Sequence, residues 1–275
     1  MQRLVTLLAS TGALFAAASH AGPIDVGLGS AASFAVLAGS TVTNTGATTI
    51  IGNLGVWPGS QITGFPPGIV TNGSIYAADT VAMQAQADLT TAYNEAAAET
   101  CGANLSGQNL GGMTLTPGVY CFSSAAQLTG TLNLNGLNNP NAVFVFEIAS
   151  ALTTASSSFV DLINDAEGGH IYWQVGSAAT LGTTTDFAGT ILALSSITLD
   201  AGAQITCGRA LALTGAVTLD GNLVDTPAAS CGPTPVPEPG SLMLLGTGFA
   251  LAAAASGRKE KAFFFEKKKQ KTFIG

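Results

Sequence analysis

The dipeptides Thr180-Leu181, Thr198-Leu199 and Thr218-Leu219 recur at intervals of 18 and 20 residues. Each lies in a short run of alternating apolar and polar side chains, punctuated by Gly, Asn or Asp. "SAATLGTTTDFAGTILAL" from Ser177 aligns with "SSITLDAGAQITCGRALAL" from Ser195, and "GAVTLDGNLV" from Gly215 begins a third copy. Upstream, "AAQLTGTLNLNG" and "ASALTTASSSFVDLI" carry the same alternation around Leu128 and Leu152. One such run cannot bury its own apolar side, but stacked copies can, so the period predicts a solenoid of β-coils. A β-sandwich with strands of similar length is the alternative. The copies share side-chain identity as well as length, which favours stacked coils.

One segment breaks the β pattern. Residues 77–100, AADTVAMQAQADLTTAYNEAAAET, contain neither Gly nor Pro, and Val81, Ala85, Leu89, Ala92 and Ala96 fall at helical spacing. Asp79 is placed to cap the start. The segment predicts one long amphipathic helix packed along the solenoid, with Met83 and Tyr93 as packing residues.

Charge is scarce, at 9% of residues against about 25% in an ordinary soluble domain. Between Pro23 and Pro237 the only basic residue is Arg209, beside 13 acidic ones. A phosphate-binding footprint needs clustered Lys and Arg, so nucleic acid is excluded as a partner. The other basic residues sit at the two ends of the chain.

Both ends read as addresses. Residues 1–21, MQRLVTLLASTGALFAAASHA, have a positive start, an apolar stretch and a small-x-small cleavage site, the pattern of a secretory signal peptide removed by signal peptidase. Residues 22–231 form the exported domain. A Pro-rich linker, 232–240, carries Pro237, Glu238 and Pro239, and 241–261 hold an apolar run from Leu242 to Ala255 followed by Arg258, Lys259 and Lys261. This order resembles the PEP-CTERM sorting signal of exopolysaccharide-producing bacteria. The resemblance implies transient membrane anchoring, cleavage by an exosortase, and delivery to the cell surface or an exopolysaccharide matrix. Residues 262–275 continue past the point where such signals end, and no role is assigned to them. In an exported chain the four cysteines favour disulfides over a metal site. Three pairings exist, and Cys101–Cys121 with Cys207–Cys231 is expected because each closes a short local loop.

Catalytic chemistry is not legible. His170 in "EGGHIYW" has no metal partner at usable spacing and reads as a turn residue. Glu147, Asp161, Asp165 and Glu167 gather in sequence, but Asp161 and Asp165 flank a coil end where turn roles suffice. No G-x-S-x-G, H-E-x-x-H or calcium-loop pattern occurs. The expectation is a non-enzymatic protein without cofactor or metal.

Several longer stretches point to a family. "FAVLAGSTVTNTGATTIIGNLGVWPGSQITGFPPG" from Phe34, "AQADLTTAYN" from Ala85, "LGGMTLTPGVYCF" from Leu110, "AVFVFEI" from Ala142, "WQVGSAATLGTTTDFAGTILA" from Trp173 and "GRALALTGAVTLD" from Gly208 resemble, in this order, the microbial ice-binding domain family. Asn53 stands where that family usually has Asp, and Trp57 follows Val56; both read as structural. The resemblance implies a mainly β fold, a right-handed discontinuous β-solenoid of triangular section with one α-helix alongside. It further implies adsorption to an ice crystal surface through one flat face, and no catalysis.

The residues agree with that implication. Same-side side chains on a strand repeat every 6.6–6.8 Å or so, and stacked strands lie about 4.8 Å apart. Threonine on successive coils therefore builds a stiff, uncharged grid of hydroxyls and methyls, suited to holding water in a lattice. The candidate ice-contacting residues are Thr43, Thr45 and Thr48 in the first coil, Thr129 and Thr131, Thr154 and Ser156, Thr183 and Thr185, and Thr214. A cell-surface or matrix adhesin without ice activity is the alternative; it would tolerate an irregular face with acids and aromatics.

Overall fold

The computed structural model describes residues 22–227. The signal peptide, Cys231, the Pro237–Pro239 motif, the sorting segment and the extension at 262–275 lie outside the described residues.

The alternating runs form short parallel strands, and each coil lays one strand on each of three walls. The first coil is Phe34–Ala38, Thr41–Thr45 and Thr49–Ile51; the second is Asn53–Val56, Gln61–Thr63 and Ile69–Thr71. Ile75–Ala77 starts a third on the first wall, and the chain then leaves as a helix, α1, over Thr80–Ala96. Beyond it, strands at Ala103–Asn104 and Thr114–Leu115 start the stack again from its other end. Coils follow at 118–135, 144–163, 171–188, 190–206 and 208–225. The last of these closes onto the first coil of the chain: Val36 pairs with Ala210, Thr43 with Thr218 and Ile50 with Val224. The order of stacking thus differs from the order of the sequence, and the solenoid is discontinuous.

Two strands, Asp186–Ala193 and Gln204–Ala212, serve two walls each. They turn the corner at a register shift between Ala188 and Gly189, where Gly189 has a φ of 100° that glycine accepts without a Cβ clash.

Inside, the three walls close on a continuous apolar core. In-register residues Tyr120, Phe146 and Trp173 stack across adjacent coils. The Phe146 and Trp173 rings lie 3.8 Å apart at 7°, and Phe187 tilts against Trp173 at 4.9 Å. The Trp173 indole N–H donates to the Ala188 carbonyl at 3.0 Å, which satisfies its one polar group.

The first wall is buried on both sides, as the runs FAVLA, FVFEI and IYWQV anticipate. Its outward residues Leu37, Val145, Tyr172, Leu192 and Leu211 pack against Ala85, Leu89, Ala92 and Ala96 of α1. The Asp79 side chain caps the helix by accepting from the Ala82 N–H at 2.9 Å. The buried stripe also takes in Ala82 and Gln86, whereas Val81 and Met83 are exposed. Those two face away from the solenoid because the stripe is set one residue on from Val81.

The polar residues singled out in the sequence have structural partners. Asn53 joins neighbouring coils: its amide donates to Ser33 Oγ, and its carbonyl oxygen accepts from the Ser74 N–H, both at 3.0 Å. His170 Nδ1 lies 3.1 Å from Asp25 Oδ1, which also accepts from the Tyr172 hydroxyl. Cys101–Cys121 ties the segment after α1 to the first wall. Cys207 is also disulfide-bonded; the partner expected for it, Cys231, lies outside the described residues.

Candidate functional site

The second wall carries the regular surface. Its seven strands stack in the order Ala126–Leu128, Leu152–Thr154, Ala179–Leu181, Ile197–Leu199, Val217–Asp220, Thr41–Thr45 and Gln61–Thr63. On each strand the apolar neighbours turn inward and the residue between them turns out. Strand pairing aligns these outward residues as Gln127, Thr153, Thr180, Thr198, Thr218, Thr43 and Thr63. Six consecutive threonines thus form one ladder about 24 Å long at the usual strand spacing. Thr43, Thr63, Thr153 and Thr218 are exposed, and Thr180 and Thr198 are half-buried.

Beside the ladder, two residues earlier on each strand, lie Ala151, Ala178, Ser196, Ala216, Thr41 and Gln61. All but the last are short side chains, so in this row nothing rises above the threonines until the final coil. β-branching stiffens each threonine in its place. Across the ladder and this row there is no charge; the nearest carboxylates, Asp200 and Asp220, stand two residues after Thr198 and Thr218 on the other side of the ladder, where Asp220 pairs with Thr45.

The third wall differs. Its outward register reads Thr131, Phe159, Asp186, Gln204, Leu223, Thr49 and Ile69. Asp161 and Asp225 stand on the same wall. It mixes acids, an aromatic ring and aliphatics. The first wall is occupied by α1. Only the second wall carries a flat, repetitive ladder whose own residues are uncharged.

Among the described residues Arg209 is the one Lys or Arg, and it is turned inward rather than set against the surface acids. Arg209 is 7% exposed; its Nε donates to the Ala32 carbonyl at 2.9 Å and its Nη1 to Thr190 Oγ1 at 3.2 Å. Burial pulls its pKa down to about 10, so it stays charged at neutral pH as an internal brace. The Tyr172 hydroxyl is raised by burial and by its hydrogen bond to Asp25.

Burial also raises the carboxyls of Glu147, Asp186 and Asp225, and the Glu99 carboxylate adds to the rise at Glu147. A group raised in the folded chain contributes stability that is full below its unfolded pKa, about 4, and is lost as pH rises through the folded value. Asp88 runs the other way. Hydrogen bonds from Ser30 and Gln84 lower it, so its contribution is present above about pH 4 and lost below. Three raised groups oppose one lowered group. Urea unfolding of the domain is therefore expected to need more denaturant at about pH 4.5 than at about pH 7.5.

The sequence-predicted residues divide by place. Thr43 stands on the ladder. Thr129, Ser156 and Thr183 lie exposed on three successive coils along the corner where the second wall turns into the third, and Thr45 lies exposed at the same corner three coils further on. Thr131 is on the third wall. Thr214 lies at the opposite corner, its hydroxyl donating to the Leu194 carbonyl at 2.6 Å. Thr48, Thr154 and Thr185 are buried, which removes them from any contact surface. Thr154 and Thr185 hydroxyls bond each other at 2.8 Å. Thr48 Oγ1 donates to Asn44 Oδ1 at 2.5 Å and accepts from the Asn222 N–H at 3.0 Å. These three close the internal polar groups of the turns.

Five ladder residues escaped the sequence reading: Thr63, Thr153, Thr180, Thr198 and Thr218. The signal for three of them was present, because the Thr-Leu dipeptides repeat at coil length. An apolar residue that must point inward forces the preceding threonine outward.

Among the described residues no group of three or more His, Cys, Asp or Glu could hold a metal ion. A cleft of about 1120 Å³ is lined by residues 22–27, the end of α1 and Pro117–Val119, on the side of the molecule built by the helix rather than by the threonine wall.

Known proteins share this architecture. An Antarctic biological consortium supplies an ice binding protein whose crystal structure matches with a TM-score of 0.73 at 49% identity, over 76% of this chain and 95% of that one. The ice-binding protein of the ascomycete Antarctomyces psychrotrophicus matches with a TM-score of 0.72 at 40% identity, over 75% and 100% of the two chains. In sequence, the ice-binding protein of Nostoc sp. (strain HG1) is 56% identical over 227 residues, covering 80% of this chain and 82% of that protein. A PEP-CTERM protein-sorting motif matches residues 235–259. The Ice-binding-like model matches residues 36–225, the span that builds all three walls, and the chain belongs to that family.

Proposed function

We propose that this is an exported ice-binding protein that adsorbs to ice through its second wall and so inhibits ice growth and recrystallisation. The observation that carries the reading is the six-threonine ladder in continuous register. Its stiff hydroxyls and methyls hold water at lattice-like intervals without a charge to reorient it. The relatives' names support the same ligand. The reading needs neither cofactor nor metal and assigns no catalysis. The PEP-CTERM motif supports export, an exosortase as processing enzyme, transient membrane anchoring and a place at the cell surface. A protein retained there in an exopolysaccharide matrix would meet ice in the same position. An adhesin role alone would rest on the mixed third wall and leaves the ladder without a purpose.

The test is a single ice crystal held below its melting point in a nanolitre osmometer with residues 22–231. Faceting and a gap between the melting and freezing temperatures are the expected result. Smooth, unshaped growth from folded, disulfide-bonded protein would sink the proposal.

A further inference from the structure

Five consecutive coils share one turn position at the corner between the second and third walls. The Ser157 N–H donates to the Thr183 carbonyl, Thr184 to Ala201, Gly202 to Asp220, and Gly221 to Thr45. Ser157, Thr184, Gly202, Gly221 and Gly46 therefore stack. All five are left-handed, with φ of 57°, 55°, 68°, 61° and 78°. Glycine takes this conformation freely, and three coils use it. A β-branched residue takes it least readily, yet Thr184 holds it beside Ser157 in the adjacent coil. A turn that served only to change direction would need neither side chain.

What the two residues add is hydroxyl groups. Ser157 Oγ and Thr184 Oγ1 lie 2.9 Å apart, and Thr184 Oγ1 also donates to the Thr183 carbonyl at 2.7 Å. Both are exposed, as are Ser156 and Thr183 next to them. The four residues follow directly from Thr153 and Thr180 of the ladder on the same two coils. The next two coils carry Asp200 and Asp220 at this corner instead. Strain of this kind clusters at functional sites, and here it coincides with a bonded pair of exposed hydroxyls.

We propose that Ser156, Ser157, Thr183 and Thr184 form a second, preordered strip that carries the ice-adsorbing surface around the corner from the ladder. The strip rests on the ice-binding reading of the second wall and deepens it, giving the protein hydroxyls inclined to the ladder plane. Its fixed pair of bonded hydroxyls is the rigid element, held by the hydrogen bond between coils.

The test compares the wild-type domain with Ser157→Gly/Thr184→Gly. Glycine suits both φ values, so the variant is expected to melt at the same or a higher temperature. Its freezing gap is expected to fall to roughly half, as when contact residues of an interface are removed. An unchanged gap overturns the proposal. A lowered melting temperature that accounts for the lost activity also overturns it, because the hydroxyls would then be a brace. Should the double variant not fold, Thr184→Asn, which tolerates the left-handed region, replaces it: a reduced gap at native melting temperature supports the strip, and an unchanged gap rejects it. Wild-type protein that leaves ice unshaped would instead defeat the parent reading of the second wall.

Discussion

Thr218→Tyr abolishes most of the freezing gap, by roughly tenfold or more, as expected for a bulky group at the centre of a contact that depends on shape. Thr218 stands in the middle of the ladder, between Thr198 and Thr43. It is exposed while its neighbours Val217 and Leu219 are buried. A phenol ring there rises above the Ala216 and Ser196 row and holds an ice plane away from every threonine beside it. The fold does not depend on the site. Tyrosine is a good strand residue, and an exposed substitution of this kind changes stability by about 0.5 kcal/mol or less. The measurement is the freezing gap with a melting curve on the same sample. Thr131→Tyr is the control, since Thr131 pairs with Phe159 on the mixed third wall. It is expected to leave the gap unchanged. Equal losses from both variants would mean that the second wall has no special part in adsorption.

The coil period and the helix were legible in the sequence because both are local patterns. Leu181, Leu199 and Leu219 recur at coil length and all lie in the core, and the Asp79 cap sits where expected. Threonine density misled where register decides. Thr153 and Thr154 are neighbours, but Thr154 takes the inward slot that Leu128 holds in the coil before it. A shift of one residue moves a strand side chain to the opposite face. The same parity buries Thr185 and Thr48 within the turns. Which coil the amino-terminal segment pairs with has no local signal at all. Thr43 meets Thr218, 175 positions away, only because α1 carries the chain back along the stack, and the family resemblance rather than the period anticipated that order.

The aromatic column sets the largest stability effect. Trp173→Ala is expected to cost about 3–5 kcal/mol. The side chain is fully buried, stacked on Phe146 at 3.8 Å and tilted against Phe187 at 4.9 Å. Alanine leaves a cavity between coils whose backbones cannot close up, because parallel hydrogen bonds fix their separation. It also strands the Ala188 carbonyl that the indole N–H satisfies, a second penalty of about 1–3 kcal/mol where water cannot replace the donor. For a domain of this size the melting temperature falls by about 2–4 °C per kcal/mol, so a drop of roughly 10 °C or more should appear in a thermal scan. Adsorption should not follow it. Trp173 points inward from the first wall, across the core from the ladder, so a variant that is still folded near the freezing point should keep the wild-type freezing gap. Thr218→Tyr and Trp173→Ala then separate cleanly, one losing activity at constant stability and the other stability at constant activity. A Trp173→Ala domain that remains folded in the cold but no longer shapes ice would show that the flatness of the second wall depends on packing at the first.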